Sequence, residues 1–513
     1  MYAYVLLRFL TKIRVPLPEV VFGEGRSDEL NNLRGAAALS KHHLRSAQIL
    51  SDQSGRTATP AASHDISFAE AVRTWTRVAL HSFGGPAGQI AVMHRILVEE
   101  KRWVSEERFL HALSYCMLLP GPEAQQLATY IGWLLHRTAG GLLAGILFVL
   151  PGFVTILVLS LLYAAYGKLP IVEGLFFGIK PAVVVLVLEA LLRIGRRALG
   201  HSIQVGLAAL SFSAIFFFEV PFPWIVFAAG WIGWLGSRFV PQAFGGPRPQ
   251  AVSASRAVVD TVLEHKVPEH ARPTTARTLR VAAVCLCLWW IPIAALAWVR
   301  GSDDIFTRIA LFFSKLAVVT FGGAYAVLAY MAQQAVEVYG WLAPGEMLDG
   351  LGMAETTPGP LIQVVQFVGF LGAYRNPGEL APVLAGVFAA VLTTWVTYVP
   401  CFLWIFLGAP YIERLRENRA LRGALAGITT AVVGVVLNLT IWFSLLTLFE
   451  TVEKQRVGPL LLQIPEWSTL DIAAGVITVG AAIATLRFHV RMLPLLGSCA
   501  ALGMLWHLVR NAI

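Results

Sequence analysis

The hydrophobic positions of this chain fall into long runs, without the short alternations that mark half-buried strands. Residues 140–167, 380–412 and 423–449 carry no charge, and each run exceeds the ~20 residues that cross ~30 Å of hydrocarbon. Further apolar segments lie at 169–192, 203–218, 222–235, 281–299, 306–333, 347–374, 472–486 and 493–508. Ahead of them, Phe68, Val72, Trp75, Val78 and Ala79 recur at helical spacing with Glu70, Arg73 and Arg77 between, which predicts an amphipathic helix. A further segment covers 109–135. The pattern is that of a helical protein that crosses a membrane many times.

Two of these segments are interrupted. Phe83-Gly84-Gly85-Pro86 breaks the first and Pro120-Gly121-Pro122 the second, and the same grammar returns at Phe321-Gly322-Gly323-Ala324 and Pro358-Gly359-Pro360. Phe83 pairs with Phe321, Met93 with Met331, Trp103 with Trp341 and Pro120 with Pro358, all at one offset. One unit was therefore duplicated. Glycine and proline here break the ladder of backbone hydrogen bonds that hydrocarbon demands, and such breaks persist only where they line protein or water. Interrupted segments in matching positions of two halves point to a transporter's binding site.

The segment count sets the orientation of the copies. Units at 67–237 and 300–513, each of about six membrane segments, flank an unmatched segment at 281–299, and one extra crossing inverts the second unit. The expected fold is an all-α polytopic membrane protein: two inverted homologous repeats, one linking segment, and interrupted or re-entrant helices at the motifs. Arg193, Arg196, Arg197, a linker over 238–280, Arg414, Arg416, Arg419, Arg422, Arg487 and Arg491 all fall on the cytoplasmic side of this scheme, as the positive-inside bias requires. Two loops disagree if every segment crosses: 94–108 carries four Lys and Arg residues yet is external, and 336–346 lacks Lys and Arg yet is internal. Making both interrupted segments of each unit re-entrant corrects both loops, and the two schemes stay open here.

Composition narrows the class further. With 56% hydrophobic and 14% charged residues, a soluble globular domain is excluded. The net charge of +9 is explained by cytoplasmic loops, and no basic stripe with interleaved aromatics suggests nucleic acid. Cys116, Cys285, Cys287, Cys401 and Cys499 sit in apolar segments without metal-ligand spacing, so they are expected to pack, and no metal or cofactor is expected. Residues 1–66 read as a polar, disordered extension; the apolar stretch at its start is interrupted by Arg8 and has the character of neither a span nor a cleaved leader.

The chemistry is expected at the breaks. The second half of a broken helix starts with unsatisfied N–H groups and roughly half a positive charge, an anion site; glycines allow close approach. Candidate binding residues are Gly84, Gly85, Pro86, Gln89, Pro120, Gly121, Pro122 and Gln125 in the first copy, and Gly322, Gly323, Pro358, Gly359, Pro360 and Gln363 in the second. Arg77 and Lys315 occupy equivalent positions, as do Gln125 and Gln363; a cation and an amide repeated in both copies suit a small oxyanion. The alternative for Arg77 and Lys315 is that they snorkel to the interface. Lys180 lies deep in an apolar segment, placed to pair with an acid or a passing anion. Glu123 and Glu355 flank the Pro-Gly-Pro turns, where they complement a helix dipole or, with His81, couple transport to protons.

The strings FGGPAGQIAVMH (83–94), PGPEAQQLATYIGW (120–133), FGGAYAVLAYM and TPGPLIQVVQFVGF resemble the chromate ion transporter family, in its long form with two fused homologous domains. The second FGG lacks the proline and the second PGP lacks the Gln-Gln pair, so the halves are expected to do different work. The resemblance implies export of chromate across the bacterial inner membrane, driven by the proton motive force and conferring chromate resistance, with sulfate as a related oxyanion. An importer or exchanger of sulfate, an anion channel and a membrane-embedded enzyme are the competing readings, although HExxH and GxSxG are absent from the sequence and no carboxylates are paired in a plausible catalytic arrangement. The expected partners are a small oxyanion and the surrounding lipid; a homodimer stays open.

Overall fold

The structure, a computed structural model, describes residues 66–244, 274–321, 324–411 and 418–512. The extension over 1–65, most of the 238–280 linker, Arg414, Arg416, Gly322 and Gly323 lie outside the described residues. Six of the described helices are long and apolar enough to cross a membrane: Glu123–Tyr166, Pro170–Ala198, Thr275–Arg300, Pro382–Tyr411, Arg419–Leu448 and Met492–Asn511. The chain is an all-α polytopic membrane protein.

Both interrupted segments of each copy are hairpins of half-length helices. In the first, α1 (Phe68–His81, 14 residues) and α2 (Gly85–His94, 10 residues, continued by a π-helical turn over Arg95–Glu100) are each too short for the bilayer at 1.5 Å per residue. They run back along each other, because Lys101 reaches Glu70 at 2.9 Å and Arg77 reaches Glu100 at 2.7 Å. The second pairs α3 (Glu106–Cys116) with the first arm of α4 (Glu123–Tyr166), which reverses at His136 and Arg137, where the backbone leaves helical geometry. Past that reversal the second arm of α4 is a full crossing. α5 (Pro170–Ala198), α6 (Ser202–Phe218) and α7 (Phe222–Phe239) complete the copy.

α8 (Thr275–Arg300) is the unmatched segment. Cys285, Trp289 and Ile293 form its buried stripe, and the Trp289 indole donates to Ser314 Oγ at 3.0 Å. The second copy repeats the plan. α9 (Ile305–Val319) and α10 (Ala324–Gln333) fold back so that Phe312 and Phe313 meet Trp341. α11 (Glu346–Thr356) and α12 (Val364–Arg375) close where Arg375 grips Glu346 at 2.6 and 2.7 Å. The interrupted segments are thus re-entrant, entering and leaving on one side. α13 (Pro382–Gly408), α14 (Arg419–Leu448), α15 (Ile472–Leu486) and α16 (Met492–Ala512) follow.

One element stands outside the helical plan. Between α14 and α15, β1 (Val452–Val457) and β2 (Leu460–Pro465) form an antiparallel hairpin in the register Val452 to Pro465. Gly458 at its tip has φ +61°, the left-handed geometry a tight turn needs. Lys454 to Glu337 at 2.6 Å and Arg456 to Glu219 at 3.4 Å strap it to α6 and to the end of the second copy's first hairpin.

Candidate functional site at the tips of the re-entrant hairpins

Each hairpin breaks because its motif cannot continue a helix. Gly84 and Gly85 have φ of +86° and +67°, Gly121 +122° and Gly359 +106°, and Pro86, Pro122 and Pro360 then start or precede the second halves. The four tips are brought together in pairs across the two copies. Gly121 N donates to Thr320 O at 2.8 Å, and Gly359 N donates to Ser82 O at 2.9 Å. Gly121 is equivalent to Gly359 and Ser82 to Thr320, so residue i of one copy meets residue j of the other and j meets i. That exchange is the signature of a two-fold contact. Buried backbone needs such partners in hydrocarbon, and each copy supplies them to the other.

The contact leaves no room for side chains. A Cβ on Gly152, in the second arm of α4, would stand 2.7 Å from Pro358 O. Gln89, almost fully buried, reaches across to donate to Gly359 O at 2.5 Å. Around the tips lies a seam of buried amides and hydroxyls. Gln125 donates to Thr129 Oγ1 at 3.1 Å, Gln126 to Pro120 O at 2.7 Å, Gln363 to Gln366 and to Thr394 Oγ1 at 3.2 Å, and Gln366 to Phe153 O at 3.0 Å. The Oε1 atoms of Gln125, Gln126 and Gln363 keep no partner.

Helix ends differ by position in a way that bears on anions. Three of the four first halves, α1, α3 and α9, begin with side-chain caps from Ser67, Ser105 and Asp304, while α11 begins behind Gly345 without one. The second halves that begin at the tips, behind Gly84, Pro122 and Pro360, have no side-chain cap. Glu123 in the first turn complements the dipole behind Pro122, whereas those behind Gly84 and Pro360 have no acidic residue in the first turn.

The remaining predicted residues are placed as follows. Arg77 is half exposed and bound to Glu100; Lys315 sits over the Tyr330 ring with Nζ 5.6 Å from its centroid. His81 is exposed, its Nδ1 2.8 Å from Arg77 O. Glu123, half-buried at the start of α4, has Arg197 within electrostatic reach. Glu355 is buried and accepts from Tyr325 OH at 2.6 Å. Lys180 stands away from the tips, beside α11, with Nζ 3.5 Å from Asp349 Oδ1.

Sequence reasoning passed over Asp349, Tyr163, Glu346 and Arg375. Tyr163 OH donates to Asp349 Oδ2 at 2.9 Å and lies 3.5 Å from Glu346 Oε1, so these four residues and Lys180 form one network. The signal existed for Asp349: it is an acid inside the apolar segment 347–374, the same anomaly that singled out Lys180 and Glu355.

Comparison with known proteins agrees with this architecture. The chromate transporter family profile matches residues 69–234 and 307–504. The chain is 30% identical over 415 residues to the chromate transport protein of Pseudomonas aeruginosa, covering 78% of this chain and 86% of that one. It is 26% identical over 424 residues to the chromate transport protein of Cupriavidus metallidurans, covering 82% of this chain and 94% of the other. YwrA of Bacillus subtilis, an uncharacterized transporter, is 26% identical over 153 residues, which are 29% of this chain and 86% of its own. No solved structure matches. With the profile laid over both copies of the duplicated unit, the chain belongs to the chromate transporter family.

Proposed function

We propose that this protein is a secondary carrier that exports chromate, with sulfate as a related substrate, across the bacterial inner membrane, and so confers chromate resistance. The observation that carries the reading is the reciprocal contact between broken-helix tips, with uncapped helix starts beside it. Re-entrant hairpins leave four crossings in each copy, and α8 adds the odd one that inverts the second. The hairpins of the first copy then enter from the cytoplasm and those of the second from outside, to meet near the midplane. The proton motive force supplies the drive. Its electrical part alone is worth about 2.3 kcal/mol per charge per 100 mV, or roughly twice that for a dianion leaving a negative interior.

The test is radiolabelled chromate uptake into everted membrane vesicles, with sulfate, molybdate and phosphate as competitors. Saturable, gradient-dependent uptake suppressed by sulfate is expected. Uptake that grows linearly with concentration at fixed voltage would replace the carrier with a channel.

Glu355 is assigned the proton-coupling role. It and Tyr325 exist only in the second copy, where the first has Met117 and Ala87; a coupling group needs no duplicate, whereas a dipole complement is wanted at both tips. Glu355→Gln keeps the hydrogen bond from Tyr325 and cannot ionise. Uptake driven by an imposed pH gradient is expected to fall about a hundredfold or more, the lower end of the scale for losing a general acid–base group, while chromate–chromate exchange persists. Equal loss of both modes would mark Glu355 as structural.

A further inference from the structure

We propose that Lys180 and Asp349 form an exchangeable pair: an oxyanion on its path takes the place of Asp349 on the Lys180 ammonium, and Asp349 takes up a proton from water as it is released. The inference rests on the carrier reading above and names a second station on the anion's route, away from the tips.

Two ion pairs share one network here, and they are built differently. Glu346 and Arg375 are committed to each other. Two guanidinium contacts at 2.6 and 2.7 Å, the Ala343 N–H at 2.7 Å on the same carboxylate and the Trp341 carbonyl on the guanidinium at 3.0 Å fix that pair. It closes the hairpin of α11 and α12. Lys180 and Asp349 are slack by comparison. Their 3.5 Å separation exceeds the ~2.7–2.9 Å of a charge-assisted hydrogen bond, and Asp349 Oδ1 is buried without a hydrogen-bond partner.

Access is equally lopsided. The Lys180 side chain is 29% exposed and that of Asp349 only 5%, so an arriving anion meets the cation and not the carboxylate. Gly345, at φ +89°, would bring a Cβ to 3.4 Å from Lys180 Nζ; its missing side chain keeps the ammonium open. The groups facing Asp349 are Lys180 from α5 and Tyr163 from α4, with Glu346 one turn before it on α11 and Arg375 of α12 beyond Glu346. On α16, which also packs against α11, the titratable His507 lies against Gly174, toward the start of α5. An isolated buried carboxylate is too costly to persist. Once Lys180 is occupied by a dianion, protonation of Asp349 removes the carboxylate charge left without a cation and holds the site at one net negative charge where it would otherwise carry two, with Tyr163 still donating to Oδ2.

The experiment adds chromate at pH 8, where it is a dianion, to the full chain in lipid nanodiscs in weak buffer, and reads anion binding and proton uptake together. Wild type is expected to take up close to one proton per anion bound. Asp349→Asn is expected to take up none and to bind about 5- to 150-fold more tightly, the span of ordinary site-to-site coupling, because nothing competes for Lys180. Lys180→Gln is expected to weaken binding at least tenfold. Wild-type affinity and proton uptake in Asp349→Asn overturn the proposal. Should that variant fail to accumulate, the charge-neutral Lys180→Gln/Asp349→Asn double variant takes its place, and wild-type affinity or proton uptake there overturns it equally. A wild-type protein that neither binds nor transports chromate sinks the carrier reading itself, a result separate from an unresponsive Asp349.

Discussion

Alanine at Gly121 or at Gly359 is expected to cut chromate flux by at least about 30-fold while the protein still reaches the membrane. At φ of +122° and +106° an L-residue is strained by roughly 1–3 kcal/mol. The added Cβ of Gly121→Ala would also stand 2.8 Å from Cys401 Sγ and from Gln126 Nε2, and that of Gly359→Ala 3.3 Å from the Gly152 Cα. Relief requires the tip to rotate, which withdraws its N–H from Thr320 or Ser82 and forfeits about 0.5–1.5 kcal/mol more. About 2–4 kcal/mol set against the transport-competent arrangement is a 30- to 1,000-fold loss at 1.4 kcal/mol per decade. Gly480→Ala, on α15 with open space at its Cβ position, serves as the unaffected control. Flux per unit of membrane-inserted protein decides the matter. Similar losses from the two variants follow from the two-fold contact, and a loss confined to one would mean that the copies do not share the tip between them.

Much of this architecture was legible because hydrocarbon imposes simple rules. Long apolar runs gave the crossings, and Gly-Gly-Pro with Pro-Gly-Pro gave the breaks, since no other residues stop a helix so reliably in an apolar setting. The choice between spanning and re-entrant segments was not decidable from hydropathy. It rests on long-range pairs such as Lys101 with Glu70 and Arg375 with Glu346, and sequence spacing cannot announce who pairs across a turn. In the strand pair at 452–465, β1 was hidden by its polarity, since Lys454 and Arg456 hold it on distant acids, and β2, six mostly apolar residues, is too short to be told from a helix segment by its pattern. At the site, the repeat identified Gly121 and Gly359, but not that each would donate its N–H to the opposite copy. Lys180 was visible as an anomaly, whereas its partner depended on how α5 packs beside α11.

The equivalence of Arg77 and Lys315 conceals a difference that predicts unequal variants. Arg77 is neutralised by Glu100, but the position equivalent to Glu100 in the second copy is Val338. Among the described residues no carboxylate pairs with Lys315; it lies over Tyr330, whose first-copy equivalent is Val92. Lys315 is exposed on its apolar helix; an uncompensated ammonium there costs up to the order of 2.5–3.5 kcal/mol, the insertion-scale figure for the helix centre, and a cation–π contact recovers only about 0.5–2 kcal/mol. The balance is what an oxyanion at the tip, five residues further along at Thr320, would supply. Lys315→Gln is therefore expected to raise the apparent KM for chromate about tenfold, or roughly 1.4 kcal/mol of binding, with Lys315→Arg retaining most of the affinity. Arg77→Gln leaves Glu100 within 3.5 Å of Arg95, so the local charge stays paired, and an apparent KM within about threefold of wild type is expected, as for other exposed ion pairs. Saturation curves for the three variants in everted vesicles make the comparison. A larger shift from Arg77→Gln than from Lys315→Gln would move the oxyanion's cation to the first copy, and with it the assignment of which half grips the substrate.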